Sequence, residues 1–312
     1  MSRDIPSSPI RNTTELSRDH INTLPFELIS YIFVLSRGVR ESTVDLNPLN
    51  LGAFPLVLRN VCRKWRQVAE ATPCLWRTID IHVTASQVQA FMQHDQRVLQ
   101  KSSTLLHRWL SLARQGQEHD LRSNAGMDIT LSAHNTKSRT APLYVAIITT
   151  LLPYSRFWRR LRLVIHSSYL RYLHTTPGHV PRLESLQLMI VRSASTPFRC
   201  VLDTFSDAPM LKRLSVRGFS RSMWDYVKLP WEQLDELHIC EVENLDAVHA
   251  IGLAKSVTRV SVDARIDVLG EDLSDDYRLC HDSLKRLEYR GSSQWGFHRN
   301  YESMFRVLQL QR

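Results

Sequence analysis

Six times between Trp158 and Tyr289 the chain sets out one motif: an apolar residue, two variable ones, a second apolar residue, one variable, and a third apolar residue. Trp158, Leu161 and Leu163 form the first copy, followed by Leu183, Leu186 and Leu188, and by Leu211, Leu214 and Val216. Leu234, Leu237 and Ile239, then Val257, Val260 and Val262, then Leu284, Leu287 and Tyr289 complete the series. The last two apolar positions of each copy are two apart, the period of a strand that buries one face. A lone short strand is unstable in water. Each copy must therefore lie beside the next, which gives a parallel sheet over one continuous core.

Successive first positions are separated by 25, 28, 23, 23 and 27 residues, within the spacing of leucine-rich repeats, one strand and one return element per unit. Trp76–Ile79–Ile81 and Ile129–Leu131 read as earlier strands of the same stack, set off by long insertions. Regular repeats keep an asparagine three residues after the last apolar position; here stand Val191, Phe219, Val242, Arg265 and Ser292. The expectation is an α/β fold in which an irregular leucine-rich-repeat-like solenoid carries a curved parallel sheet. Residues flanking the middle apolar position point to the opposite, concave side. They are Arg160 and Arg162, Ser185 and Gln187, Arg213 and Ser215, Glu236 and His238, Arg259 and Ser261, and Arg286 and Glu288. This mixed, mostly polar row suits protein recognition better than a small-molecule pocket.

Composition limits the rest. The 312 residues are 43% apolar and 23% charged, an ordinary globular balance with ample core material. The longest nearly uncharged apolar stretch, Leu143 to Leu152, is ten residues, against about 20 for a membrane span. Five cysteines, Cys62, Cys74, Cys200, Cys240 and Cys280, form no Cys-x-x-Cys pair. With no apolar signal core in the polar Met1–Asp19 arm, this reads as a reduced compartment, cytoplasmic or nuclear. The net charge of +9 is uneven: +5 over residues 1–140, +8 over 141–220 and −4 over 221–312.

Ahead of the repeats the period changes from two to 3.6. Pro25 and Glu27 suit a first helical turn. Leu24, Leu28, Ile29, Ile32 and Phe33 form one apolar helical stripe. Residues 36–53 read as a loop. A second helix is expected over Phe54–Glu70 with Leu58, Val61, Cys62, Trp65, Val68 and Ala69 on one face, ending at Thr72-Pro73. A strand follows over Thr78–Val83, a long helix over Gln87–Gln115, and a further helix beginning at Tyr301.

Leu24-Pro25-Phe26-Glu27-Leu28-Ile29-Ser30-Tyr31-Ile32-Phe33, Val61-Cys62-Arg63-Lys64-Trp65-Arg66 and Thr72-Pro73-Cys74-Leu75-Trp76 together resemble an F-box, of the F-box-like proteins abundant in basidiomycete fungi. Ala208-Pro209-Met210-Leu211-Lys212-Arg213-Leu214 and Leu229-Pro230-Trp231-Glu232-Gln233-Leu234 look like the repeats that follow it there. The resemblance implies a substrate receptor of a Skp–cullin–F-box ubiquitin ligase, monomeric within that hetero-complex and bound through the Skp-type adaptor to a cullin. Leu24, Pro25, Leu28, Ile32, Phe33, Val61, Cys62 and Trp65 would face the adaptor or support that face, with Trp65 as hot spot. Arg160, Arg162, Arg213, Glu236, His238, Arg259 and Arg286 are the candidate target-binding residues. The expected division is an arm over 1–19, an F-box-like module over 20–80, a helical linker over 81–124 and the repeat domain over 125–312.

Catalytic signatures are missing from the sequence. It has no Gly-x-Gly-x-x-Gly and no phosphate-cradling loop, and Gly218-Phe219-Ser220-Arg221-Ser222 fails as a nucleophile elbow at its last position. His174 and His179 have the wrong spacing for one helical face of a metal site. No enzyme activity, cofactor or metal is expected. Arg156, Arg159, Arg160 and Arg162 around Phe157 and Trp158 could grip nucleic acid, but the repeat already accounts for Trp158 as core. An acceptor surface for an acidic or phosphorylated protein segment fits the guanidinium forks better. The rival reading, in another class, is a repeat scaffold or weakly nucleic-acid-associated protein whose first helices only cap the solenoid.

Overall fold

The computed structural model describes residues 23–38, 47–83, 85–118, 126–133, 141–174, 180–191, 201–219, 221–265, 279–292 and 308–309. The 1–19 arm lies outside them, as do His179, Cys200 and residues 39–46 of the 36–53 loop. Eight strands form one open, all-parallel sheet: β1 (Thr78–His82), β2 (Met127–Ala133), β3 (Trp158–His166), β4 (Ser185–Val191), β5 (Arg213–Arg217), β6 (Glu236–Val242), β7 (Arg259–Arg265) and β9 (Arg286–Ser292). Each strand pairs with the next in this order. The arrangement is consistent with a curved α/β solenoid.

The pairing explains the sequence motif position by position. Ile79, Ile129, Leu161, Leu186, Leu214, Leu237, Val260 and Leu287 stand opposite one another across all eight strands, so the middle apolar residues form one row. Ile81, Leu131, Leu163, Leu188, Val216, Ile239 and Val262 form the second row, and both are buried from β1 to β7. Leu183, Leu211, Leu234 and Val257, the first positions of four copies, are fully buried just ahead of their strands. A one-residue slip would turn every one of these side chains outward, so the apolar pattern itself fixes the register. Backbone bonds join the units one residue before the strands begin, as in Lys212 N to Glu184 O at 3.0 Å and Asp235 N to Lys212 O at 2.9 Å.

The connections are partly helical. α1 (Phe26–Gly38) and α2 (Arg63–Glu70) precede β1, and α3 (Ala85–Glu118) joins β1 to β2. α4 (Ala141–Leu151), α5 (Leu170–Leu173), α6 (Arg221–Tyr226) and α7 (Asn244–Leu253) follow between later strands. Buried apolar side chains from Ile29 in α1 to Val262 in β7 form one continuous cluster. The amino-terminal helices, the long helix and the repeats thus share a core.

Two tryptophans make that junction. Trp76 donates from Nε1 to the Ala69 carbonyl at 2.8 Å, Trp109 donates to the Trp76 carbonyl at 2.8 Å, and the rings meet edge to face at 5.3 Å. Both are fully buried, which is stable because each indole N–H has an acceptor. Glu70 adds a bridge near the surface, accepting from Arg59 at 2.7 Å and from Arg108 of α3 at 3.1 Å.

Three local expectations need correction. The helix expected over Phe54–Glu70 is broken: Leu56–Asn60 is a 3-10 turn and α2 starts at Arg63. Cys62 is extended and its sulfur accepts from Trp65 N at 3.4 Å, so it caps α2 instead of continuing a helix. The single stripe of α1 is two: Ile29 and Phe33 turn inward, whereas Leu28 and Ile32 face out. Finally, within the helix expected from Tyr301, Leu308–Gln309 is a short strand (β10) beside β8 (Leu279–Cys280).

Candidate functional site

Two exposed surfaces stand apart from the ordinary polar exterior. The first is the outer side of the amino-terminal helices. Among the described residues, eleven large apolar side chains are exposed, and nine lie between Phe26 and Val61. They are Phe26, Leu28, Tyr31, Ile32, Val34, Leu35, Leu51, Val57 and Val61; only Val201 and Met210 lie elsewhere. The cause is in α1, which is apolar nearly all round yet buries only the Ile29–Phe33 side. A helix of that kind normally has cover on both sides.

The inward side is firmly held. The Phe33 ring meets Trp65 edge to face at 5.0 Å. Ser30 Oγ lies 2.9 Å from Thr72 Oγ1, and Lys64 Nζ donates to the Leu24 carbonyl at 2.8 Å. At the other end of the helix, Arg37 donates to the Cys74 carbonyl at 2.9 Å and to Thr78 Oγ1 of β1.

The sequence-derived residues therefore separate into two groups. Leu28, Ile32, Val61 and Pro25 are exposed; Leu24, Cys62 and Trp65 are half-buried. Phe33 is 2% exposed and cannot touch a docked partner. It holds the helix from behind, together with Trp65, whose packing on Phe33 makes it as much a support as an anchor. Phe26, Tyr31, Val34, Leu35, Leu51 and Val57 also belong to the exposed surface, though the sequence motifs do not single them out. All but Phe26 and Tyr31 lie outside the quoted motif, and none falls on the sequence-derived stripe.

The second surface is the outer face of the sheet. Arg160, Ser185, Arg213, Glu236, Arg259 and Arg286 share one cross-strand row. Arg162, Gln187, Ser215, His238, Ser261 and Glu288 share the next. From β4 to β9 all of these side chains except Gln187 line a concavity of about 380 Å³. Every expected target-binding residue lies in one of the two rows, with Arg160 and Arg162 one strand beyond the concavity.

Their charges are not equivalent. Glu236 pairs with Arg259, Glu288 with Arg286, and Glu241 with Arg217. On β2, Asp128 receives two bonds from Arg159, at 3.0 and 2.7 Å, which raise the Arg159 pKa further above its already high value. Arg160 reaches the same carboxylate only at 4.0 Å. Arg213 lies 3.7 Å from Glu184. Arg162 approaches the Met189 sulfur at 3.8 Å and pairs with no carboxylate among the described residues.

A bulge between Cys240 and Val242 disturbs β6, with Glu241 at φ 51° and neighbouring Gly218 at φ 73°. There the Cys240 sulfur sits 2.8 Å from His238 Nε2. Burial pushes the Cys240 thiol above its ordinary pKa, and the charge of Asp263 adds to this while Arg217 opposes it. Burial and the Asp263 charge both disfavour the thiolate, the form in which a cysteine acts as a nucleophile.

His174 forms an exposed contact with Asp203 at 2.7 Å. Among the described residues, no group of three His, Cys, Asp or Glu side chains could hold a metal ion. No described helix is long and apolar enough to cross a membrane. Comparison with family models, with curated proteins and with solved structures yields no match for this chain.

Proposed function

We propose that the chain is a non-catalytic substrate receptor of a Skp–cullin–F-box ubiquitin ligase. The outer side of α1, with Val57 and Val61, docks on the Skp-type adaptor, and the outer face of the sheet holds a target protein. The supporting observation is the concentration of nine of eleven exposed large apolar residues between Phe26 and Val61. Exposed apolar side chains gathered in one segment mark a candidate binding surface, and their place coincides with the Leu-Pro-x-Glu-Leu and Val-Cys-x-x-Trp motifs that resemble an F-box. The shared core lends the arrangement its mechanism. A rigid connection between adaptor and target surfaces holds the target near a conjugating enzyme, so the contribution is proximity and orientation.

The alternative, a scaffold whose first helices only cap the repeats, draws on the same shared core, since Ile29 and Phe33 do pack into it. Capping leaves the outer side without a purpose. Co-purification with a Skp-type adaptor separates the two. Leu28→Asp with Ile32→Asp should abolish association while leaving the melting temperature nearly unchanged, because both side chains are close to half exposed. Failure of the intact, folded chain to associate removes the ligase reading.

A further inference from the structure

The outer sheet face is electrostatically divided, and the division specifies a ligand. On β6, β7 and β9 the arginines Arg259 and Arg286 have carboxylate partners within the face itself. On β3 they do not: among the described residues Arg162 contacts the Met189 sulfur and pairs with no carboxylate, and the carboxylate beside Arg160 already accepts two bonds from Arg159. Arg160 and Arg162 are 57% exposed and exposed, respectively, and stand two residues apart on one side of one strand. Their spacing along the strand is therefore about 6.6 Å.

An extended peptide repeats side chains on one side at that same interval of about 6.6 Å. Across Ser185 and Gln187 of β4, Arg213 of β5 supplies a third cation about 9.6 Å away, two strand spacings. Its contact with Glu184, at 3.7 Å, is too long to be a hydrogen bond.

We propose that the β3–β5 part of this face binds an extended acidic protein segment carrying carboxylates at alternate positions. Successive acids along one side of the segment pair with Arg160 and Arg162, and Arg213 closes the other flank. The assignment rests on the reading of this face as the target-binding surface and adds the chemistry of the target. Guanidinium forks and carboxylates match in shape as well as charge. The self-paired β6–β9 part excludes further acids and so bounds the segment, since like charges brought against Glu236 and Glu288 are repelled.

The test is fluorescence anisotropy of the full chain with labelled dodecapeptides at low salt. One alternates glutamate and serine; the other has the same composition with glutamates in adjacent pairs separated by paired serines. The alternating peptide should bind at least about threefold more tightly, and Arg160→Ala with Arg162→Ala should weaken it about tenfold or more. Arg171→Ala, outside the sheet, should have no effect. Since both β3 arginine side chains are exposed, circular dichroism should show the double variant folded. Equal affinity for the two peptides, equally tight binding of a thymidine dodecanucleotide, or unchanged affinity in the folded double variant overturns the proposal. Adaptor co-purification reads the ligase role separately. A chain that binds adaptor but neither peptide loses only the acidic-segment assignment, and one that binds the alternating peptide but no adaptor loses only the ligase.

Discussion

The outer side of α1 and the outer face of the sheet are both exposed, but they leave different needs unmet. α1 presents apolar area whose removal from water is itself favourable, at about 25 cal/mol per Å². The sheet presents charges, several already paired with each other, for which a partner must offer complementary groups to gain anything over water. Association through the first surface should be tight and indifferent to salt. Association through the second should be selective and weaken as salt rises. The proposed receptor, assembled through one surface and exchanging its target at the other, would use that contrast.

The strongest way to break the comparison is to cut the connection between the surfaces. Trp76→Ala removes a fully buried indole, its bond to Ala69 and its edge contact with Trp109. A loss of about 3–5 kcal/mol is expected. Because the core is continuous, denaturation followed by tryptophan fluorescence and by circular dichroism should show one transition moving as a whole; separate transitions for the helices and repeats would contradict a shared core.

Gly218→Ala acts on the sheet alone. At φ 73° an added Cβ would stand 2.5 Å from the Ile190 carbonyl oxygen, so neighbouring strand backbones must separate. More than about 1 kcal/mol should be lost in chemical denaturation, with the proposed adaptor association unchanged in the remaining folded chain.

The difference between supporting and contacting residues gives a sharper test. Trp65→Ala should lower stability because its ring packs on Phe33, whereas Leu28→Asp with Ile32→Asp should change it by no more than about 0.5 kcal/mol per site. If the two variants melt alike, the inward and outward sides of α1 have been misassigned.

Much of the sheet was legible because a period of two, repeated at nearly constant separation, admits few arrangements. Once Leu161, Leu186, Leu214, Leu237 and Val260 share a row, the residues before and after them must share rows on the opposite face. The outer row was therefore found without any motif for it. Its charge state was not, because the carboxylates beside Arg160 and Arg259 lie on neighbouring strands, and Glu184, near Arg213, precedes β4. The two sides of α1 were harder for a geometric reason: Leu28 and Ile29 differ by only about 100° around the helix, so a broad stripe leaves open which edge turns inward. At Val61–Cys62 the apolar spacing runs on through a break that only the extended backbone of Cys62 produces.

The bulge on β6 predicts a small pH effect that separates a structural thiol from a reactive one. Burial and the charge of Asp263 both disfavour the Cys240 thiolate, so its ionisation should begin at a higher pH than that of an ordinary cysteine. Peptide-resolved alkylation by iodoacetamide should find Cys240 slower than a free cysteine near neutral pH and accelerating only above the usual thiol range. Asp263→Asn should move that rise to lower pH. Rapid alkylation at neutral pH would mean that His238 drives the sulfur toward thiolate.

The smallest effect belongs to the self-paired part of the face. Arg259→Ala removes an exposed ion pair with Glu236, and stability should change by less than about 1 kcal/mol. Its informative consequence is electrostatic: Glu236 is left without its partner beside the β3–β5 cations, and Arg213, opposite it in the row, becomes the nearest replacement. The alternating acidic peptide should then bind a few-fold more weakly as a cation is lost and an acid is exposed. Glu236→Ala should strengthen it by a similar factor. If both variants shift binding in the same direction, the two parts of the face do not act through charge, and the contrast between paired and unpaired arginines carries no selectivity.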